Sequence, residues 1–172
     1  MGKSHFIALD LSEKFVDKVS ETCQQISETI ITHSFDPMEK HVLHMTLCFL
    51  GGALSTNWKR KMVVLEDTME RFKLQFQGKV LEFDGYALFP ETKRNLIVAK
   101  FRCVDRNFTP NVIEFKKSLT YIGVPEEDFF TAHLTLGKLR LAHINTDALE
   151  EFLNQLPPIT AQINITGCHL IG

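Results

Sequence analysis

The chain reads as an α+β fold built from two lobes related by a pseudo-twofold axis, and three features of the sequence predict it. Apolar residues alternate with a period of two in some stretches and step by three and four in others, so strands and helices succeed one another. One tetrapeptide pattern occurs twice, as His44-Met45-Thr46-Leu47 and His133-Leu134-Thr135-Leu136, each time inside an apolar run of strand character. The order strand, helix, motif strand, helix, strand in the first part has a looser counterpart in the second, as an ancient duplication would leave it. With 172 residues, 44% hydrophobic and 23% charged, the chain can bury one sizeable core, and a single domain over 1–172 is expected.

Residues 5–11 read as a first strand, and Ser12 as the N-cap of a helix whose Phe15, Val19, Cys23, Ile26 and Ile30 step by four, four, three and four. A polar loop over 32–40 leads to a strand over 42–50. Strict alternation gives that strand a back face of Leu43, Met45, Leu47 and Phe49 and a front face of Val42, His44, Thr46 and Cys48. Gly51-Gly52 ends it, and Ser55-Thr56 precede a helix carrying Trp58, Met62, Leu65, Met69 and Phe72. Residues 74–83, 86–89 and 96–101 read as strands broken by Gly85, Pro90 and a polar turn over 91–95. Val112, Phe115, Lys116 and Leu119 mark a third helix that ends near Gly123 and Pro125. The acidic Glu126-Glu127-Asp128 then delivers the chain through Phe129-Phe130 into a strand over 132–141. A last helix, over about 146–156, is stopped by Pro157-Pro158 before an alternating strand over 159–165.

A net charge of −2 argues against broad, charge-driven nucleic-acid binding, so any nucleic acid is expected at a small local site. The opening Met1-Gly2-Lys3-Ser4-His5 lacks the apolar stretch of a signal peptide, and Phe6 stands where a myristoylation signal wants Ser or Thr. No run approaches the roughly 20 apolar residues of a membrane span. Cys23, Cys48, Cys103 and Cys168 are scattered, with neither Cys-x-x-Cys nor zinc-type Cys/His spacing. Four buried free thiols in a reducing cytoplasm, or nucleus, are therefore expected, on a monomer with no membrane or obligate protein partner.

The repeated tetrapeptide carries the chemistry. On a strand, His and Thr two apart share a face while Met45, Leu47, Leu134 and Leu136 point into the core. A His-x-[Ser/Thr]-Leu is expected only about 0.05 times in a chain of this size at ordinary residue usage, so two copies are not accidental. Brought together, the two pairs supply one titratable acid, one titratable base and two hydroxyl donors, a set that can cleave a phosphodiester without a metal. An unperturbed imidazole has a pKa of about 6.5, so a neutral and a protonated ring can coexist near neutral pH. His41 lies three before His44 and faces away from it, which disfavours a shared metal. His5, His33, His143 and His169 read as surface or structural residues, and Lys59-Arg60-Lys61 as a solvated helix face.

The runs His44-Met45-Thr46-Leu47-Cys48-Phe49-Leu50-Gly51 and His133-Leu134-Thr135-Leu136-Gly137-Lys138-Leu139-Arg140 resemble the paired motifs of the two-histidine (2H) phosphoesterase superfamily. Within it they resemble the branch of RNA 2′,3′-cyclic phosphodiesterases, also called 2′-5′ RNA ligases. The opening Phe6-Ile7-Ala8-Leu9-Asp10-Leu11, the middle Gly85-Tyr86-Ala87-Leu88-Phe89-Pro90 and Phe130 add to the likeness, which spans almost the whole chain. It implies a bilobal α+β fold, with two antiparallel sheets facing a central cleft and helices packed outside. It also implies His44 as proton donor, His133 as proton acceptor, and Thr46 and Thr135 as donors to the non-bridging oxygens.

Three departures stand out: Ser4-His5 where family members often have an Arg, Ala132 where they often have a Pro, and Lys138 where they often have an Arg. Lys138 and Arg140 remain candidates for binding phosphate, yet strict alternation sets both opposite His133 unless Gly137 admits a bulge. Phe49, Phe89, Phe129 and Phe130 are core residues by default, with Phe89 and Phe130 the candidates to stack on a base. The activity implied is hydrolysis of RNA 2′,3′-cyclic phosphate ends to 2′-phosphates without metal or cofactor, accompanied by reverse 2′-5′ joining. Cleavage of 2′,5′-oligoadenylates and a non-catalytic nucleotide-sensing module of the same fold are the alternatives.

Overall fold

Ser12 caps the first helix as its place before an apolar stripe requires. In the computed structural model, which describes residues 4–30, 34–140 and 146–172, its Oγ accepts the Phe15 N–H at 3.1 Å, a bond worth about 1 kcal/mol at such a position. The strand before it, β1 (His5–Leu9), stops two residues short of the expected end because the Asp10 N–H turns to the Gly167 carbonyl. The helix itself, α1 (Glu13–Thr29), buries Phe15, Val19, Cys23 and Ile26. The expectations for Met1 to Lys3, Thr32, His33, Leu141 and His143 lie outside the described residues.

Along the chain follow β2 (Phe35–Pro37), β3 (Met45–Gly51), α2 (Trp58–Phe76), β4 (Val80–Phe89), β5 (Leu96–Cys103), α3 (Phe108–Ser118), β6 (Ala132–Leu139), α4 (Thr146–Gln155), β7 (Gln162–Asn164) and β8 (Cys168–Ile171). They form one antiparallel sheet in the order β7-β4-β5-β6-β3-β1-β8, with β2 also pairing with β6. Two separate sheets were expected, and this is a correction. The motif strands β3 and β6 lie side by side and pair at Met45 and Leu134, which closes the gap two lobes would leave and makes the sheet continuous. Helix stripes and inward strand residues share a single apolar cluster, in which Phe72, Phe76, Phe108 and Phe115 meet edge-on at 5.4 to 6.0 Å.

Several element bounds differ from alternation for identifiable reasons. Residues 40–42 wind into a 3-10 turn, so β3 starts at Met45 rather than at 42, and Val42 is left exposed. Leu74 and Phe76, read as the start of a strand, complete the last turn of α2; Gly78, at φ +82°, then turns the chain into β4. Strand β4 does not break at Gly85. The φ of +100° there lets Asp84 and Gly85 together oppose Lys100 as a bulge, and pairing continues on both sides. The expected 159–165 strand shortens to β7, while β2 forms inside what reads as a polar loop, because Phe35 is buried beside Gly137.

Candidate active site

The two motif strands share one burial pattern. Residues 43–50 and 132–139 both run buried, half-buried, buried, half-buried, buried, buried, exposed, buried. Alternation breaks at the same place in each because each carries a bulge at the Leu that ends its tetrapeptide. Ile7 pairs with Cys48 and Ala8 with Thr46, leaving Leu47 unopposed; Ile97 pairs with Gly137 and Val98 with Thr135, leaving Leu136 unopposed. One unopposed residue moves every later side chain to the other face. Cys48 therefore turns into the core instead of the front face, and Phe49 turns out of it, 51% exposed. Lys138 comes round to the face of His133, because the unopposed residue, Leu136, directly precedes Gly137.

The second bulge is held from three sides. The Leu136 carbonyl accepts the Met38 N–H at 2.8 Å and the Cys23 S–H at 3.3 Å. Gly137 has no room for a side chain, since an added Cβ would lie 2.4 Å from the Phe35 ring and 2.5 Å from the Asp36 carbonyl. The glycine is thus what lets β2 lie against the bulge.

Antiparallel pairing centred on Met45 and Leu134 sets His44 against Thr135 and Thr46 against His133. All four sit half-buried on one face. The histidines are diagonal neighbours, a relation that places positions roughly 7–8 Å apart in a regular pair, room for a phosphate between them. Their rings are held in the same way. His44 Nδ1 lies 2.8 Å from the Val42 carbonyl and His133 Nδ1 lies 3.0 Å from the Thr131 carbonyl, each two residues upstream. A carbonyl only accepts, so both Nδ1 atoms carry the proton and both Nε2 atoms are left for chemistry. Each ring also rests on a phenylalanine at the same 34° tilt: Phe6 with His44 at 4.4 Å, Phe89 with His133 at 4.9 Å.

Around this pair the other candidates separate. Lys138 is exposed, with Leu96 and Asp36 as its cross-strand partners. Arg140 is committed to Asp36, its Nη2 at 2.9 Å from Oδ1 and its Nε at 3.2 Å from Oδ2. Phe89 lies beside His133, while Phe130 packs edge-on against Phe108 at 6.0 Å. His41 is exposed and pairs with Glu39 at 3.4 Å. Among the described residues no three His, Cys, Asp or Glu side chains gather so as to hold a metal ion. All four cysteines are free, Cys23 and Cys48 buried and Cys103 and Cys168 partly so; burial pushes the Cys48 thiol up to about 12 and the Cys23 thiol to about 11, which keeps both protonated and inert.

Three residues at the site were missed from sequence. Lys100, half-buried, is the cross-strand partner of His133, a relation that needs the β5–β6 pairing to be known. Phe6 carries no signal beyond its apolar strand, and Phe49 reads as core until the bulge is seen.

No family model matches the chain. A curated relative, the RNA 2′,3′-cyclic phosphodiesterase of Archaeoglobus fulgidus, is 24% identical over 135 residues, which is 78% of this chain and 72% of the relative. Among solved structures, Escherichia coli LigT complexed with ATP superposes at a TM-score of 0.67 with 17% identity, covering 99% of this chain and 87% of LigT. TT0787 of Thermus thermophilus reaches 0.67 with 18% identity over 98% of this chain and 87% of its own. The PDE domain of MHV ns2 reaches 0.60 with 13% identity over 98% and 97%. The shared fold and the curated relative align this chain with the two-histidine phosphoesterase superfamily. Phosphoesterase chemistry is the activity class that goes with it, and no helix of the described residues is long and apolar enough to cross a membrane.

Proposed function

We propose that the chain opens RNA 2′,3′-cyclic phosphate ends to 2′-phosphates, with His44 as general acid and His133 as general base. The observation behind this reading is the matched placement of two imidazoles, each with Nδ1–H on a carbonyl, Nε2 free and a threonine hydroxyl opposite. With a cyclic phosphate between them, His133 Nε2 takes a proton from water as the water oxygen bonds to phosphorus. The bond from phosphorus to O3′ breaks, and His44 Nε2 gives its proton to O3′. Thr46 and Thr135 donate to the non-bridging oxygens, whose charge grows in the transition state, and Lys138 adds a cation on the same face. Phe89 and the exposed Phe49 offer apolar walls to a base.

An RNA 5′-hydroxyl in place of the water gives 2′-5′ joining by the same two proton transfers. The curated relative named for the cyclic phosphodiesterase reaction supports the reading, as does a fold shared with LigT, which has been solved with 3′-AMP and with phosphate. No metal or cofactor enters the scheme, because two imidazoles supply both proton transfers.

The test is a panel of 2′,3′-cyclic, 3′,5′-linked and 2′,5′-linked substrates with phosphorus NMR of the products. Turnover of the cyclic member to a 2′-phosphate is the expected result. Preferred cleavage of 2′,5′-oligoadenylate would move the activity to that linkage, and binding without turnover on every member would make the chain a sensor.

A further inference from the structure

His44 and His133 are each fixed by a carbonyl two residues upstream, but the two carbonyls are themselves held by different means. Val42 belongs to the 3-10 turn at Lys40–Val42, in which the Val42 N–H reaches the Glu39 carbonyl at 3.0 Å and the Leu43 N–H the Lys40 carbonyl at 3.3 Å. Backbone bonds form this turn, and the Lys40 ammonium pairs with Asp17 on α1. Thr131 lies at the end of an irregular stretch, 125–131, that takes part in none of the loop and turn backbone hydrogen bonds of the described residues.

The side chain of Lys116, on α3, reaches this stretch instead. Its ammonium donates to the Phe129 carbonyl at 3.1 Å and to Glu127 Oε2 at 3.0 Å, and it lies 5.7 Å and 5.4 Å from the centres of the Phe129 and Phe130 rings. The Lys116 side chain is only 8% exposed, against 35% for Glu127. Burying a lysine is costly, and a buried ion pair adds little net stability while it does select one geometry. An apolar residue on this α3 stripe would fill the space as well. A donor on a long stem can bond a loop carbonyl from here, which an apolar side chain cannot.

We propose that Lys116 is a positioning residue for His133. By anchoring the Phe129 carbonyl it keeps the Thr131 carbonyl, two residues on, beneath the His133 Nδ1–H, and so keeps Nε2 as the proton acceptor. The proposal rests on the base role of His133 given above. Lys100 on β5, Asp84 in the bulge beyond it, Lys138 along β6 and Glu126, Glu127 and Asp128 of the loop itself are charged groups that remain when Lys116 is changed.

Lys116→Met keeps the apolar stem and removes the donor. Nitrogen-15 NMR of the histidine rings reads the tautomer without substrate, so this readout stands even if the proposed reaction proves wrong. The folded variant should show His133 as a mixture of Nδ1–H and Nε2–H forms while His44 stays unchanged. Its kcat should fall roughly 10- to 10²-fold at constant KM, and the limb of the pH profile that belongs to His133 should move. Glu127→Gln, which leaves the Phe129 carbonyl contact intact, should keep the wild-type tautomer and kcat. An unchanged tautomer and kcat in folded Lys116→Met would overturn the proposal. So would failure of that variant to fold, which would make Lys116 a residue of the fold, or reproduction of its effects by Glu127→Gln, which would put the anchor in the ion pair.

Discussion

Met45 and Leu134, the middle residues of the two His-x-Thr motifs, are direct cross-strand partners at the junction of β3 and β6. This one pairing merges the two halves of the sheet, and it sets each histidine opposite the threonine of the other motif. Neither motif makes a complete site alone.

The threonines are the first consequence. Thr46→Val and Thr135→Val keep a β-branched shape suited to a strand, which isolates the lost hydroxyl. Each should lower kcat on the order of 10- to 10³-fold with little change in KM, as removal of a transition-state donor does. Steady-state kinetics on a 2′,3′-cyclic nucleotide check this, and unchanged kcat in both variants would remove the hydroxyls from the mechanism.

Lys138 and Arg140 should part company. Arg140 is bound to Asp36 at an exposed site, so Arg140→Met should leave turnover intact and cost at most about 1 kcal/mol of stability. Lys138→Met should lower kcat/KM about tenfold or more, since a charge-assisted contact to phosphate is lost. Kinetics and denaturant titration of both variants separate the two. An Arg140 effect equal to that of Lys138 would contradict the assignment.

Gly137→Ala tests the bulge that brings Lys138 to the face of His133. The added methyl would collide with the Phe35 ring and the Asp36 carbonyl. The forced shift should cost on the order of 1–3 kcal/mol and raise KM as Lys138 moves. Loss of stability is read from urea unfolding, and a variant as stable as wild type would show that β2 yields without effort.

Much of this was legible in the sequence because the relevant signals are local. Ser12 ahead of a three-four stripe marks α1, and His-x-Thr on an alternating strand puts both side chains on one face. What could not be read depends on pairing. The bulges at Leu47 and Leu136 arise from how β1 and β5 meet the motif strands, so Phe49 looked like core and Cys48 fell on the face of His44 and Thr46. Merging of the sheets hangs on the single Met45–Leu134 pair, and Lys100 has no place beside His133 until β5 and β6 are in register. Leu74 and Phe76 show the other failure, an apolar run that continues a helix where its composition suited a strand.

The thiols give an independent check on the core. Burial raises the Cys23 and Cys168 thiols to about 11 and the Cys48 thiol to about 12, and raises Cys103 as well. A raised value leaves less thiolate at a given pH than in a free cysteine, so all four should alkylate slowly at pH 8 in the native protein. Cys23 and Cys48, closed off from solvent, should be the last to react with iodoacetamide, as read by mass spectrometry. Rapid labelling of Cys48 would contradict the bulge that turns it inward.

The central claim is that two imidazoles from partner strands act as one acid and one base on a single phosphate. Its most direct measurement is the hydrolysis rate of a 2′,3′-cyclic nucleotide by folded His44→Ala and His133→Ala, singly and combined. Each single variant should lose roughly 10²- to 10⁴-fold in kcat, and the double variant should be little worse than the poorer single one, because the two rings work as a unit. Near-wild-type turnover by either single variant, or losses that multiply in the double, would contradict it.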